Sequence, residues 1–380
     1  MRVAHVVTQV SADGAFGGPL SVARGQAVEL ARRGHDVTVL AGWDGSGTVD
    51  TEGSAVKVQL FRTRRVVGRA GFSGLVAPGL SRVLRHGDPF DVVHLHQGRD
   101  LVTLAAGTTL RRRNLPYVIQ THGMVMPDDR LKARLADALV TRRLLAGAGA
   151  VLALTEVERA GLRHLVGPSV QIRLFPNGVT ARSGIGAKAR VNAVPDVLFC
   201  ARLHPRKRVA AFVGLAAELA RRGVDATFSV VGSDAGDLKV LRDEAARLDV
   251  VGRISYEGAL SPDAVGPRLR RADVYVLPSV DEPFPMTVLE AMSEATPVVI
   301  TRSCAIAEDL EARGAASVTD GTVTDLADAV ERLLSDSTAS TAQSLAGRAA
   351  VRDAYSIKAV VDELERVYDA ARRQAGPGPT

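Results

Sequence analysis

The chain has 380 residues, 46% apolar and 24% charged, with a formal net charge of +6 and a pI near 9.6. That length exceeds one ordinary core and suits two domains, and the composition is globular rather than disordered or fibrous. No apolar run reaches the ~20 residues of a membrane-spanning helix, aromatics at 4% leave no basic-aromatic surface for nucleic acid, and Cys200 and Cys304 alone make no disulfide framework or conventional zinc site and read as small buried side chains.

The N-terminus, "MRVAHVVTQV", lacks the long apolar segment and cleavage site of a signal peptide, so a cytoplasmic location is expected. Residues 2–9 form a short apolar run that ends in a loop containing Gly14, Gly17 and Gly18. Residues 19–34 read as a helix, with Pro19 in its first turn and Gly34 at its stop. Strand patterns follow at 35–41, 91–96, 116–121 and 150–155, with helical patterns between them. Their near-continuous β-branched runs describe strands covered on both faces, and hence a parallel sheet in a doubly wound domain.

Periodicity lapses over 178–195, where small, glycine and basic residues mark an interdomain linker. The alternation restarts with strand patterns at 196–202, 226–232, 272–279 and 297–301. The expected fold class is therefore α/β: two facing Rossmann-like domains with parallel sheets, spanning 1–180 and 181–355. Ligands are expected in the cleft at the carboxyl ends of strands. Residues 356–373 read as a last helix, N-capped by Ser356 and expected to pack back toward the N-terminal domain. The closing "QAGPGPT" reads as a frayed end.

Two stretches carry the chemistry. In "DEPFPMTVLEAM" (281–292), Glu282 falls in the loop after a strand, and Glu290 falls inside a helix with Pro285 at its first position, running through 286–295. The first N–H groups of that helix suit a phosphate. Two carboxylates beside a phosphate would repel it, so they are expected to bind hydroxyls. A sugar nucleotide offers this mixture of phosphate and hydroxyl groups. In "ARLHPRKR" (201–208), Arg202 and Lys207 supply two cations able to neutralise a diphosphate as its charge grows. Arg206 and Arg208 read as surface charges.

Gly14, Gly17 and Gly18 let backbone N–H groups approach a ligand closely, or simply make a tight turn. Their spacing is not G-x-G-x-x-G, so a nicotinamide dehydrogenase is disfavoured. His122 follows a strand end and precedes a glycine, as either a structural or a ligand-facing ring. His94 and His96 alternate on one strand and are expected on opposite faces, one lining the cleft and one buried, with no third ligand for a metal. Asn177 and Gly178 suit a hinge or cleft-lining turn. Thr155 and Glu156 follow another strand end and are weaker candidates.

The ordered set of E-x7-E with "AM" and "PVV" after it, "GGPLSVARGQAVELARRGHDVTVL", "DVVHLH", "THG", "FPNGV", "FCARLHPRKR" and "VVGSDAGDLKVL" resembles glycosyltransferase family 4, the retaining group with a GT-B fold. The resemblance covers nearly the whole chain. It implies a nucleoside diphosphate sugar as donor and sugar transfer to an acceptor hydroxyl on a glycan, a lipid-linked saccharide or a small-molecule natural product. It places Glu282 by the donor sugar, Glu290 on the ribose hydroxyls, Arg202 and Lys207 on the diphosphate, His122 beside the donor sugar, and Gly17 and Gly18 near the donor phosphates. Retention of configuration follows from the family, with the leaving diphosphate helping to deprotonate the acceptor or a double displacement as the competing route. No cofactor is expected, and no metal, because no Asp-x-Asp motif stands at a suitable strand end.

There are three departures from the family pattern: Pro285 and Ala295 where glycine is common, and Cys304-Ala305 in place of Gly-Gly. Proline has no N–H, so donor contacts there fall to Phe284 and Met286. A sugar-nucleotide epimerase or hydrolase on the same fold is the alternative, and a non-catalytic sensor a third reading. Finally, the helical stretch 128–150 groups Leu131, Leu135, Ala138 and Leu139 on one side amid Arg130, Lys132, Arg134, Arg142 and Arg143, with "LRRRN" (110–114) adding further charge. Such a helix suits peripheral contact with an anionic membrane, or it is a docked helix with a solvated basic face.

Overall fold

A computed structural model of the chain describes residues 1–10, 17–45, 55–67, 71–182 and 193–374. Gly14, residues 183–192 of the expected linker and residues 375–380 of the tail lie outside the described residues. The chain divides into two units: Met1–Gly178 with Ile357–Thr380, and Val179–Ser356.

In the first unit, strand β1 (Arg2–Val10) leads to helix α1 (Gly17–Arg32), then β2 (Asp36–Trp43) and β3 (Lys57–Arg62). A short antiparallel ladder of β4 (Arg64–Arg65) and β5 (Leu75–Val76) precedes α2 (Pro78–His86). Strand β6 (Val92–His96), α3 (Leu101–Arg112) and β7 (Tyr117–Gln120) follow. Helices α4 (Leu131–Ala136) and α5 (Arg142–Ala146) are joined by one π-helical turn, Asp137–Thr141, and lead to β8 (Ala150–Ala153), α6 (Glu156–Val166) and β9 (Ile172–Leu174).

The second unit runs β10 (Asp196–Cys200), α7 (Val209–Arg221), β11 (Thr227–Val231), α8 (Leu238–Arg247), β12 (Ile254–Gly258), α9 (Pro262–Arg271) and β13 (Val274–Leu277). It continues with α10 (Met286–Ser293), β14 (Val298–Thr301), α11 (Ala307–Ala312), β15 (Ser317–Thr319), α12 (Val323–Ser335) and α13 (Ser337–Ala350). Helix α14 (Ile357–Gln374) returns to the first unit.

Both main sheets are parallel throughout. Their orders are β3-β2-β1-β6-β7-β8-β9 and β12-β11-β10-β13-β14-β15. Each order reverses once, between β1 and β6 and between β10 and β13. Such switch points open a crevice beyond the carboxyl ends of the strands. One strand at each reversal is fully covered: all five residues of β6 and all four of β13 are buried.

Helix α14 belongs to the first unit because its apolar stripe has a core to cover. Val360, Val361, Leu364, Val367, Tyr368 and Ala371 recur at helical spacing and are buried against Val3, Val37, Val118 and Leu152. Polar ties fix its register: Arg33 reaches Asp362 at 2.6 Å and Glu365 at 2.8 Å. The approach is close enough that a Cβ on Gly149 would stand 2.5 Å from the Ala371 methyl.

Several sequence expectations need correction. His94 and His96 share a face, because a strand's side chains alternate and residues two apart return to the same side. The helix expected to have Pro285 at its first position begins at Met286 and ends at Ser293, with Pro285 outside it in an extended conformation. Four strands of the main sheets had no distinct pattern in the sequence: β3, β9, β12 and β15.

Candidate active site

In the second unit, the loops after β10 and β13 meet at the switch point. Beyond β10, Leu203 N–H donates to Ser233 O at 2.9 Å, so the chain still tracks the strand beside it. Gly232 permits this: with φ +149° it lies so near that a Cβ would fall 1.9 Å from Ala201 O. Arg202 is held at this point with its guanidinium exposed, and among the described residues it has no side-chain partner.

A 3₁₀ turn, Pro205–Lys207, then reverses the chain, and His204 caps it through Nδ1. Arg208 closes the turn in a left-handed conformation, φ +54°. Its guanidinium donates to Pro278 O at 3.2 Å and Gly321 O at 3.0 Å. Arg208 is thus a tie between loops and not the surface charge expected. Arg206 is exposed, yet it donates to the Asp281 carbonyl, while its own carbonyl accepts from Val280 N–H at 2.8 Å.

These ties bring Lys207 onto Glu282, and the two form an ion pair. Glu282 is buried, and its backbone bridges to Cys304, with Ala305 N–H donating to Glu282 O at 2.9 Å. The main chain at Cys304-Ala305 thus seats Glu282. Phe284 is buried edge-on against Tyr355, its ring centroid 6.2 Å away. Met286 opens α10 half-buried.

Glu290, one turn further on, is half-buried, and burial raises its carboxyl above the usual range. Among the described residues its carboxylate has neither hydrogen-bond nor ion-pair partner. Cys200 beside it is a buried free thiol pushed up to about 12, by burial first and then by the Glu290 charge. Cys304 is likewise free and buried.

In the first unit, His122 sits where β7 ends. His122 and Gly123 both have positive φ, 52° and 73°, and Met124 N–H closes the turn onto Thr121 O at 2.8 Å. A histidine in the left-handed region costs about 1 kcal/mol and persists only where its surroundings hold it. Glu158 does the holding. Its buried carboxylate accepts from Thr121 Oγ1 at 2.5 Å, Gly123 N–H at 2.5 Å and Leu154 N–H at 2.6 Å.

Sequence reasoning stopped at Thr155 and Glu156 and missed Glu158. Thr155 is the N-cap of α6, accepting from Glu158 N–H at 3.1 Å, and Glu156 makes an exposed ion pair with Arg159. The T-x-x-E spacing was the available signal: it is a capping-box pattern. Here the glutamate leaves the cap and reaches across to the β7 loop.

Gly17 and Gly18 open α1, and a Cβ on Gly18 would meet nothing among the described residues. Asn177 is buried, accepting from Gln120 Nε2 at 3.1 Å. Gly178 allows close passage of Ile357, whose Cα would stand 2.8 Å from an added Cβ. The expectation that His94 and His96 bind no metal rested on there being no third ligand. His5 is one: ring nitrogens of His5, His94 and His96 lie within 4.8 Å of one another. However, Nδ1 of His5 and Nε2 of His96 lie 3.0 Å apart and are engaged in a hydrogen bond with each other.

A family model described as glycosyl transferase 4-like domain matches residues 17–178, and one described as glycosyl transferases group 1 matches residues 194–336. Together they account for both switch-point loops. The chain is a glycosyltransferase of the GT-B fold. It is 28% identical to a 2-deoxystreptamine glucosyltransferase of Streptomyces kanamyceticus over 81% of this chain and 86% of that protein. Its match to the glycogen synthase of Mycobacterium tuberculosis, also 28% identical, spans 56% of this chain and about half (52%) of that protein. Among solved structures, Anabaena HepE in complex with UDP and glucose superposes with a TM-score of 0.77 at 17% identity, covering 97% of this chain and 100% of that one.

The glycosyltransferase carries an acid-sensitive core. His5, His94 and His96 are fully buried ring against ring, and His5 is held down to about 3 by desolvation. Desolvation, then the neighbouring rings, holds His94 and His96 well below the ordinary histidine value. The unfolded chain takes up protons near pH 6.5 while the folded unit does not, so stability is full above that pH and falls below it. Each ring contributes a loss of about 1 kcal/mol between pH 6.5 and 5.5, or about 3 kcal/mol for the three. His122, likewise held down to about 3 by burial, adds a similar loss, so urea midpoints across this window should fall by at least that much, and His94→Leu should remove about 1 kcal/mol of the drop. A flat profile would contradict neutral burial of these rings.

Proposed function

We propose that the glycosyltransferase is a retaining enzyme of family 4 that takes its sugar from a nucleoside diphosphate sugar and passes it to an acceptor hydroxyl without a metal ion. The carrying observation is the second unit's set of groups: the Lys207–Glu282 pair, the unpaired Arg202 guanidinium and the unpaired, desolvated Glu290 carboxylate. Arg202 and Lys207 suit a diphosphate, and a partnerless carboxylate suits the two hydroxyls of a ribose. The backbone N–H groups of Met286 and Thr287 at the start of α10 suit the remaining phosphate oxygens. HepE, solved with UDP and glucose, supports this reading of the donor class. In the first unit, Gly17, Gly18 and His122 are the residues we propose as donor-contacting. Assays in EDTA with several sugar nucleotides test the whole reading: diphosphate release only with acceptor supports transfer, and full release without acceptor supports the epimerase or hydrolase.

Glu290→Gln separates stability from binding. A carboxyl raised by burial is disfavoured when ionised, so the folded state is weakened as pH rises past its ordinary value. The amide relieves this, and melting temperature at pH 7 should rise. The amide gives up one acceptor oxygen and the charge, so donor affinity should fall about 10–100-fold, from about 1.5–3 kcal/mol for hydrogen bonds to a charged group. Calorimetric titration with UDP and UDP-sugars against thermal melts checks both signs. Unchanged affinity would remove Glu290 from the nucleotide.

We place the acceptor at a lipid surface, on the cytoplasmic side. No described helix is long and apolar enough to cross a membrane. Leu135 and Leu139 are 52% and 60% exposed, with Ala138 between them and Arg134, Arg142 and Arg143 exposed around them. The side chains of Leu131 and Lys132 lie outside the described residues. Exposed leucines ringed by arginines match the charge and depth of an anionic bilayer surface. Vesicles of phosphatidylglycerol should sediment the enzyme and vesicles of phosphatidylcholine should not. Leu135→Ser with Leu139→Ser should weaken that binding about tenfold or more. Equal binding to both vesicles, or none to either, would count against it.

A further inference from the structure

The first unit contains a line of polar rings that leads inward from His122. His122 Nε2 is 2.8 Å from His96 Nδ1. His96 Nε2 is 3.0 Å from His5 Nδ1. His5 Nε2 makes a longer contact, 3.4 Å, with Tyr368 Oη on α14, and that oxygen is 2.8 Å from His94 Nδ1. Beyond it the line stops: His94 Nε2 is buried and has no partner among the described residues. We infer that this chain fixes the tautomer of His122, so that its ring presents Nδ1–H as a hydrogen-bond donor at the end of β7.

Each neutral imidazole owns one N–H, and each contact in the line needs one donor and one acceptor. If Tyr368 accepted from both His5 and His94, its own O–H would be left bare in the core; with that O–H donating within the line, only two arrangements satisfy every contact. In one, protons point outward: His94 Nδ1–H to Tyr368, Tyr368 O–H to His5, His5 Nδ1–H to His96, and His96 Nδ1–H to His122 Nε2. His122 is then left with Nδ1–H. In the other, every proton points inward, and His94 Nε2–H ends in the core with no acceptor. A buried N–H without a partner is the rarer and more costly defect. The outward arrangement leaves only a lone pair in the core and puts its free N–H on half-buried His122, where a ligand or water can accept it. The rings of His96 and His122, 5.0 Å apart and 11° from parallel, suit an in-plane N–H···N bond in either direction.

This rests on the reading of His122 as a donor-site residue and deepens it. With Nε2 committed as the acceptor from His96, His122 has no lone pair directed at a substrate. It donates to a sugar oxygen and does not act as a base. His96 and His5 are positioning residues that act through it.

The wild-type protein decides the tautomer without any variant or substrate. In a long-range ¹H–¹⁵N correlation spectrum of protein labelled with ¹⁵N-histidine, His5, His96 and His122 should all show the Nδ1–H pattern. His122 as Nε2–H would overturn the inference, as would loss of the His5 and His96 signals on one equivalent of zinc, which would mark a metal site instead. His96→Asn severs the line at its middle. It should mix the His122 tautomers and lower kcat about tenfold, the worth of one neutral hydrogen bond, with KM for the sugar nucleotide unchanged. A mixed tautomer with wild-type kcat would sink the catalytic half. Because the spectrum needs no substrate, the tautomer it reports is independent of whether sugar transfer is the reaction.

Discussion

Replacing Lys207 by alanine is expected to lower kcat/KM for sugar transfer by about 10²–10³-fold, the usual cost of removing one preorganised group that meets developing charge. The ammonium stands at the switch point of the second unit, on a 3₁₀ turn fastened by Arg208 to the end of β13. Before donor binding its charge is held by Glu282. Leaving that buried carboxylate without a cation adds a desolvation cost, so part of any loss could come from a disturbed loop. A double-mutant cycle separates the two causes. Glu282→Gln keeps the shape and removes the stranded charge. If Lys207 acts on the diphosphate, Lys207→Ala with Glu282→Gln stays as slow as the slower single variant, because the residues work as a unit. If the single loss were only a loop effect, the double variant would recover toward the Glu282→Gln rate. A Lys207→Ala enzyme within threefold of wild type would remove Lys207 from the reaction altogether.

The sequence made the buried parts legible and the exposed parts obscure. Central strands such as β6, β10 and β13 are covered on both faces, so their apolar runs stand out. The edge strands β3 and β12 carry half-exposed patterns, "KVQLFR" and "ISYEG", in which charge interrupts the signal. β15 is three residues long. The second unit's candidate site could be proposed from the sequence because its candidate residues occupy two short contiguous stretches, 201–208 and 281–292, each just past a strand. The first unit's polar line was not readable. His5, His94, His96, His122 and Tyr368 come from four strand or loop positions and a helix at the far end of the chain, and only the parallel pairing of β1, β6 and β7 with α14 packed over them brings the rings together. Period alone, applied correctly, would have put His94 and His96 on one face. It could not have supplied His5 or Tyr368.

Glu158→Ala is expected to cost the first unit about 3 kcal/mol, the largest stability loss foreseen for a single side chain here. The carboxylate satisfies three donors: Thr121 Oγ1, Gly123 N–H and Leu154 N–H. The threonine hydroxyl can rotate to another acceptor, but the two backbone N–H groups cannot move without moving the chain. Each buried donor left bare costs about 1–3 kcal/mol. For a unit of this size that corresponds to a fall in melting temperature of roughly 6–12 °C. The left-handed turn at His122 and Gly123 then loses the group that holds it, so activity should fall as well. Glu158→Gln offers one acceptor oxygen in place of two and should recover about half of the lost stability. Thr155→Ala, which removes only the helix cap, should cost about 1 kcal/mol and leave turnover near wild type. If Glu158→Ala melted within a degree or two of wild type, the carboxylate would not be bearing those donors, and the turn at His122 would have to be held by something else.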